Sequence, residues 1–458
     1  MRLVSTTTGR LAYVVSFIII SIQLTAQVNS PYSRYGIGNL VGSQHIIGRS
    51  MGGIQAAYAD GLSNNMVQSV NFNNPATYGA FYLVSYDLSL LYDTRSLKSS
   101  NPEGIFKSRY LIPSYLAVGM PLNKAKGLGL AFGLRPISRI NYTVITRGRV
   151  ANDSVGTSYE GTGGMNQAFV GIGKRWKNLS IGLNTGYTFG RKELSTKKTF
   201  LSDTTAYAQS NTGSTTTYGK AFFQLGLQYE VLLHKVEDKA KKQTENYLLR
   251  FGATANLQQS LNAKQDQVVE TFTVGSVGNF ISIDSISKFN NIKGTIVMPA
   301  SYEAGIVFHK TLTSTRGIFE MWSIGAEYSS TLWKNYRFYG QADPALVNSW
   351  TMKFGAQISP NPQAIRNYLN NVNYRIGFNF GKDYIDADGN GLKTSTFSFG
   401  AGFPIRKWRA YETQYTVVQT ALQVGKRGSS KNNITENFVQ LSLGFSLNDT
   451  WFIKRRYD

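Results

Sequence analysis

Between positions 437 and 447 the chain reads NFVQLSLGFSL, in which Val439, Leu441, Leu443, Phe445 and Leu447 are separated by Gln440, Ser442, Gly444 and Ser446. A period of two puts the two sets on opposite faces of one β-strand, one face apolar and the other small and weakly polar. The alternation returns along most of the chain. Over 219–231, Ala221, Phe223, Leu225, Leu227, Tyr229 and Val231 face away from Lys220, Gln224, Gly226, Gln228 and Glu230. Over 179–190, Leu179, Ile181, Leu183, Tyr187 and Phe189 oppose Ser180, Gly182, Asn184, Gly186 and Thr188. The segments 372–381 and 396–403 repeat it. A soluble sheet with one wet face makes the same pattern. Segments of roughly 9–11 residues, recurring many times, are instead the mark of strands that cross a membrane with the apolar side outward.

Fourteen strands are predicted, at about 81–92, 107–120, 127–147, 165–177, 179–190, 217–235, 246–258, 294–309, 319–331, 347–359, 372–382, 392–404, 412–424 and 434–447. Long connections are expected at 93–106, 148–164, 191–216, 259–293 and 332–346, alternating with short ones at 121–126, 178, 236–245, 310–318, 360–371 and 405–411. Outer-membrane barrels pair long outer loops with short periplasmic turns in this way, and an even strand number returns both wall ends to the periplasm. The expected fold is therefore all-β: a transmembrane antiparallel up-and-down β-barrel over 79–458. A hairpin hidden within 259–293 (268–274 with 280–286) would raise the strand number to sixteen.

The first 26 residues carry Arg2 and Arg10, an apolar run over 11–22 and then Leu24-Thr25-Ala26. That order reads as a secretory signal cleaved after Ala26. The run is shorter than the ~18 residues of a spanning helix, so export past the inner membrane is expected. Residues 27–78 lack the alternation and are rich in Gly, Asn and Ser, including SMGGIQAAYADG at 50–61 and Asn73-Asn74-Pro75-Ala76. Their length and small apolar content favour an N-terminal plug inside the barrel.

Composition narrows the functional classes. Cysteine is absent, so disulfides, thiolate metal sites and cysteine nucleophiles are excluded. The net charge of +22 suits either nucleic acid or an anionic membrane surface. No nucleic-acid-binding module is readable and the cations are dispersed, which favours outer-membrane lipid and lipopolysaccharide as surroundings. The three histidines, His45, His234 and His309, gather no triad or carboxylate pair at readable spacing, so no catalytic, metal or cofactor residue is assigned. The sequence Asp386-Ala387-Asp388-Gly389-Asn390-Gly391 opens like a calcium loop, but its twelfth position is Phe397 where the loop needs Glu, so a turn is expected there. Gly36-Ile37-Gly38 with Gly42 fails the dinucleotide-binding spacing.

Arg49, Gly52, Gly53 and Asp60, followed by Asn74-Pro75-Ala76 just before the first strand, resemble the hatch of the long-chain fatty acid and aromatic-hydrocarbon outer-membrane transporter family. The resemblance is specific over about 48–80. It implies a fourteen-stranded barrel with an N-terminal hatch, passive uptake of a hydrophobic small molecule, and a kink in the third strand that opens a lateral gap. Gly133 and Pro136 would mark that wall kink, since a proline inside a strand removes a ladder bond. On the residues alone, Asn74 with Pro75 is equally an ordinary turn before a strand, and Pro136 is more simply the end of its strand and the start of the outer loop. Trp451, Phe452 and Tyr457 suit recognition by the barrel-assembly machinery during biogenesis. The alternative to uptake is a non-transporting barrel that serves as a structural partner in a secretion or barrel-assembly complex. An apolar tunnel between outer loops and plug would point to transport; a lumen filled with charged pairs would point to the alternative.

Overall fold

The computed structural model describes residues 30–449 except 43, 64–67, 151–152, 201–207, 275–279, 365–366 and 407–414. The expected signal segment and the C-terminal aromatics lie outside the described residues. Fourteen strands form the wall: β1 (Val84–Ser100), β2 (Glu103–Asn123), β3 (Leu128–Val150), β4 (Asp153–Trp176), β5 (Leu179–Phe200), β6 (Gln209–Asp238) and β7 (Gln243–Asn256), then β8 (Ser301–Ser314), β9 (Gly317–Thr331), β10 (Ser349–Ile358), β11 (Asn373–Lys382), β12 (Lys393–Arg406), β13 (Tyr415–Arg427) and β14 (Ile434–Asp449). Each pairs antiparallel with its neighbours, and β14 closes the ring on β1 from Ile434↔Ser99 to Asp449↔Val84. Closure removes sheet edges, which hydrocarbon does not tolerate. The side-chain period holds: Leu225 and Leu227 are exposed while Gln224 and Gln228 are buried. Among the described residues no helix is long and apolar enough to cross a membrane.

The hairpin within the 259–293 connection exists, as Gln259–Val274 and Phe280–Met298, yet the wall stays at fourteen. β7 pairs directly with β8 from Thr244↔Thr313 to Asn256↔Ser301. The hairpin instead lies along the outer half of β6, with Asn262–Phe272 against 209–219. Lys264, Asp266, Glu270, Asp284 and Lys288 stud it, leaving no continuous lipid face. The connections expected at 93–106, 148–164 and 191–216 are corrected as well: they are mostly strand, drawn out in β1 to β6 beyond the apolar band. Their Ser, Thr and Lys residues are polar on both faces, so the period that reveals a membrane strand vanishes while the backbone ladder continues. The 386–391 stretch is a turn between β11 and β12, closed by Gly391 N–H donating to Asp386 Oδ1 at 2.8 Å.

The described residues of the N-terminal segment 30–83 run inside the ring. Ile46, Ile47, Met51, Ile54, Phe72 and Tyr78 pack with Tyr115, Ala117, Phe169 and Phe222 of the wall. Nearer the outer end, Tyr32 and Ile37 pack with Leu346, Tyr384, Ile385 and Leu392 from the outer connections.

Candidate functional site: the lumen and the parting of two strands

The inner wall carries rows of glycine brought together by strand register. Gly129 pairs with Gly173, Gly173 with Gly182 and Gly182 with Gly226, which makes a trough across β3 to β6. The turn Pro75–Ala80 lies in it so closely that a methyl group on any of the four would overlap Asn74, Pro75 or Tyr78. A second row, Gly325, Gly355 and Gly377, runs across β9 to β11. There a methyl on Gly355 or Gly377 would overlap Met51 or Gly52. Glycine serves here for close backbone approach.

Of the predicted hatch residues, Gly52, Asn74, Pro75 and Ala76 sit in this contact layer, while Arg49, Gly53 and Asp60 lie beside it within the N-terminal segment. Asn74 Oδ1 accepts from Ala76 N–H at 3.0 Å, the capping bond of its turn. Asn74 Nδ2 donates to Ala56 O at 2.5 Å and to Leu227 O on β6 at 3.3 Å, so one side chain joins two parts of the segment to the wall. Pro75 begins the turn and Ala76 is fully buried. Gly52 has φ +69° and its N–H donates to Ser398 Oγ at 2.8 Å, while its carbonyl accepts from Asn379 Nδ2 at 2.9 Å. Gly53, at φ +98°, ends the helix Ile46–Ser50 by donating to Gly48 O at 2.7 Å. Both glycines occupy left-handed backbone that other residues resist.

Arg49 is buried and donates to Gln44 O at 3.2 Å, to Ser114 Oγ of β2 at 3.1 Å and to Gly42 O. Burial pulls its pKa below the ordinary arginine value. Asp60 accepts from Ser69 Oγ at 2.6 Å and borders a cavity of about 20 Å³ with Tyr58, Glu320, Gln357 and Arg375. Burial in the lumen raises its carboxyl to about 6.

Charged groups that no linear spacing revealed line the inner wall at three levels, each cluster shared by neighbouring strands. Toward the outside, Glu436 meets Arg95 at 3.2 Å and Arg427 at 3.4 Å, Arg427 meets Asp383 at 2.9 Å, and Ser30 Oγ donates to Glu436. In mid-barrel, Lys353 meets Glu327 at 2.7 Å and Glu303 at 3.5 Å, and Glu327 Oε2 accepts the Gln55 and Ala56 N–H groups at 2.8 and 2.6 Å. On the third level Glu230 lies between Arg250 at 2.5 Å and His309 at 3.4 Å, while Arg250 donates to Ala59 O at 3.1 Å. His45 reaches Asp87 at 3.3 Å. Each cluster spends some of its hydrogen bonds on the N-terminal segment. A larger cavity of about 540 Å³ opens among the projecting strands, where Glu160, Glu193, Asp266 and Lys288 line it. Neither cavity is an apolar channel.

Among the described residues, β2 and β3 part within the wall. β2 and β3 pair from Asn123↔Leu128 only as far as Leu116↔Leu134, whereas β3 follows β4 to Val150↔Asp153 with one irregularity between Pro136 and Ser138. Gly133 sits at the last tight contact of β2 with β3, and a methyl there would overlap Leu116 O. Pro136 lies two residues past the last β2–β3 pair, inside its strand rather than at its end. The freed inner edge of β3 is taken by the N-terminal segment: Asn39 pairs with Arg139, Leu40 with Ser138, and Val41 N–H donates to Ile137 O at 3.0 Å. Arg135, buried beside the parting, bonds Asn73 Oδ1 at 3.2 Å and Gln167 Oε1 at 3.0 Å and stacks on Phe72 at 5.3 Å.

A family model described as BamG matches residues 10–458. Among solved structures, a Pseudomonas aeruginosa FadL homologue is similar at 12% identity, TM-score 0.52, over 89% of this chain and 98% of that one. The Ralstonia pickettii toluene transporter TbuX is similar at 13% identity, TM-score 0.51, over 89% and 99%. At such identities the likeness establishes the fold alone, a closed antiparallel β-barrel of the same architecture. A search of curated proteins found no match.

Proposed function

The chain belongs to the BamG family, and from that premise we propose that it is a plugged outer-membrane barrel whose role is to serve as a structural partner in a secretion or barrel-assembly complex. The observation that carries the reading is the lumen: the segment 30–83 is bonded to the wall at β6 through Asn74, at β9 through Glu327 and at β12 through Gly52, and ionic clusters stand on the inner wall that a hydrophobic cargo would have to pass. Stripping those charges of water or of their partners beside each passing apolar molecule would cost several kcal/mol per ion. On this reading residues 27–78 are a permanent plug, and the chain reaches the outer membrane of a Gram-negative bacterium after loss of residues 1–26.

A second reading, passive uptake of hydrophobic small molecules, is favoured by the β2–β3 parting, which faces the apolar band beside Leu116 and Leu134. Liposomes carrying the native protein, or a form lacking 27–78, separate the two when loaded with labelled fatty acid. Negligible uptake by both forms, with a fixed-stoichiometry complex isolated in mild detergent, is the expected result. Saturable uptake by the native barrel would overturn the partner reading in favour of transport.

A further inference from the structure

On the outward face of β13, β14, β1 and β2, just above the lipid-facing band, stand four exposed cations: Lys98, Lys107, Arg109 and Lys426. Register brings them together. Lys107 is opposite Ser96, Ser96 is opposite Asn437 and Asn437 is opposite Lys426. Lys98 is opposite Ile105, one outward step from Lys107. Among the described residues none of the four has an ion pair. Two cations farther round the wall, on β5, differ, since Arg191 pairs with Glu193 at 2.5 Å and Lys197 with Glu160 at 2.7 Å. The carboxylates of β1 and β14 at this level, Asp93 and Glu436, point into the lumen and are taken by Arg95 and Arg427. Glu103, at the β1–β2 turn, is the nearest outward acid along β2.

Their height fits a phosphate layer. An outward step of two residues on a strand tilted by about 40° rises ~5 Å. Arg109 lies one step above Leu111, Lys107 two, Lys426 one above Val424, and Lys98 three above Tyr92. The four therefore span ~5–15 Å above the apolar band, where headgroups begin within ~5–8 Å of the hydrocarbon. Below them Leu90, Tyr92, Val439 and Leu441 present an exposed apolar surface for acyl chains.

We propose that this patch is a binding site for a phosphorylated glycolipid of the outer leaflet, its phosphates held by Lys98, Lys107, Arg109 and Lys426 and its chains lying on β14 and β1. The inference rests on placement in the outer membrane, and is independent of whether the barrel carries cargo or partners. The test uses the full mature barrel in mild detergent, with bisphosphorylated lipid A as probe and native mass spectrometry as readout. The native protein is expected to retain lipid A through washing, and the fully dephosphorylated glycolipid to bind at least tenfold more weakly. K98Q/K107Q/R109Q/K426Q together should lose at least tenfold in binding, with heat-modifiable gel mobility showing that it is folded, and R191Q should change little. Equal retention by the quadruple variant, or equal binding of the dephosphorylated lipid, overturns the site. Full displacement of lipid A by millimolar inorganic phosphate, or by a polyglutamate peptide at lower concentration, would overturn it in favour of a free anion or an acidic protein. Failure of the outer-membrane placement itself would look different, as a native barrel that does not enter lipid nanodiscs at all.

Discussion

Asn74→Ala removes the side chain that links the Pro75 turn, the Ala56 carbonyl and the β6 wall. The capping bond to Ala76 N–H contributes about 1 kcal/mol. The bonds from Nδ2 to Ala56 O and Leu227 O contribute less than the usual ~1 kcal/mol each, because Ala56 O also accepts from Gln228 Nε2 at 2.9 Å and Leu227 lies within the wall ladder. At roughly 0.5 kcal/mol apiece the total is about 2 kcal/mol, close to a thirtyfold rise in the detached population, since 1.4 kcal/mol is tenfold. Native-state hydrogen exchange in micelles reads this directly. The amides of Ala76, Thr77 and Phe81 should exchange about thirtyfold faster while the β4–β5 ladder is unchanged. Gly226→Ala attacks the same contact from the wall, because its methyl would overlap Asn74 and Pro75. The double variant should therefore fall well short of the sum of the singles. An Asn74→Ala effect under twofold, or full additivity with Gly226→Ala, would refute the idea that this turn anchors the segment.

Glu327→Gln leaves Lys353 with Glu303 alone at 3.5 Å and gives up the charge that the Gln55 and Ala56 amides point at; breaking such a buried group costs about 3 kcal/mol, and limited proteolysis near 51–60 in a still-folded barrel should register it. Asp60 binds its proton more tightly in the folded lumen, near pH 6, than at its ordinary 3.8, so its protonated form favours the docked segment and docking should weaken as pH rises from about 4 through 6. Hydrogen exchange of the Ser69 and Val70 amides at pH 5 and 7.5 checks this, and Asp60→Asn should flatten that part of the dependence. Deleting the outer hairpin and joining Asn256 to Ser301 through an Asn-Gly turn should leave a folded, heat-modifiable barrel, because those two residues already face each other across the β7–β8 ladder. Failure to fold would show that the hairpin belongs to the wall.

The lipid-facing strands were legible because one physical demand, apolar against lipid at every second residue, writes a period of two wherever membrane is crossed. All fourteen wall strands meet the segments that the period picks out, from Val84–Ser100 to Ile434–Asp449. Where the demand ends, so does the signal. The outer half of β6, reading Ser214-Thr215-Thr216-Thr217, is continuous strand yet carries no apolar face, which is why it passes for loop. The same loss hid the full extent of the outer hairpin.

The lumen was legible only where chemistry is local. Asn74-Pro75 declares a turn through side-chain capping and a fixed φ, whatever surrounds it. The troughs that receive this turn are different in kind. Gly173, Gly182 and Gly226 are each readable as inward-facing, but their adjacency depends on strand register, set by the turn lengths and bulges between them, and a slip of one residue would turn every side chain to the opposite face. The ion clusters share this dependence: Glu327 and Lys353 meet only because Glu327 pairs with Lys353 across β9 and β10. The inward set that reads along the chain as a small, polar, open lumen is thus, once register is imposed, a surface shaped for the chain's own first residues. Loss of that register on one side alone, with the outward apolar period untouched, should leave a membrane barrel that folds and no longer holds its N-terminal segment.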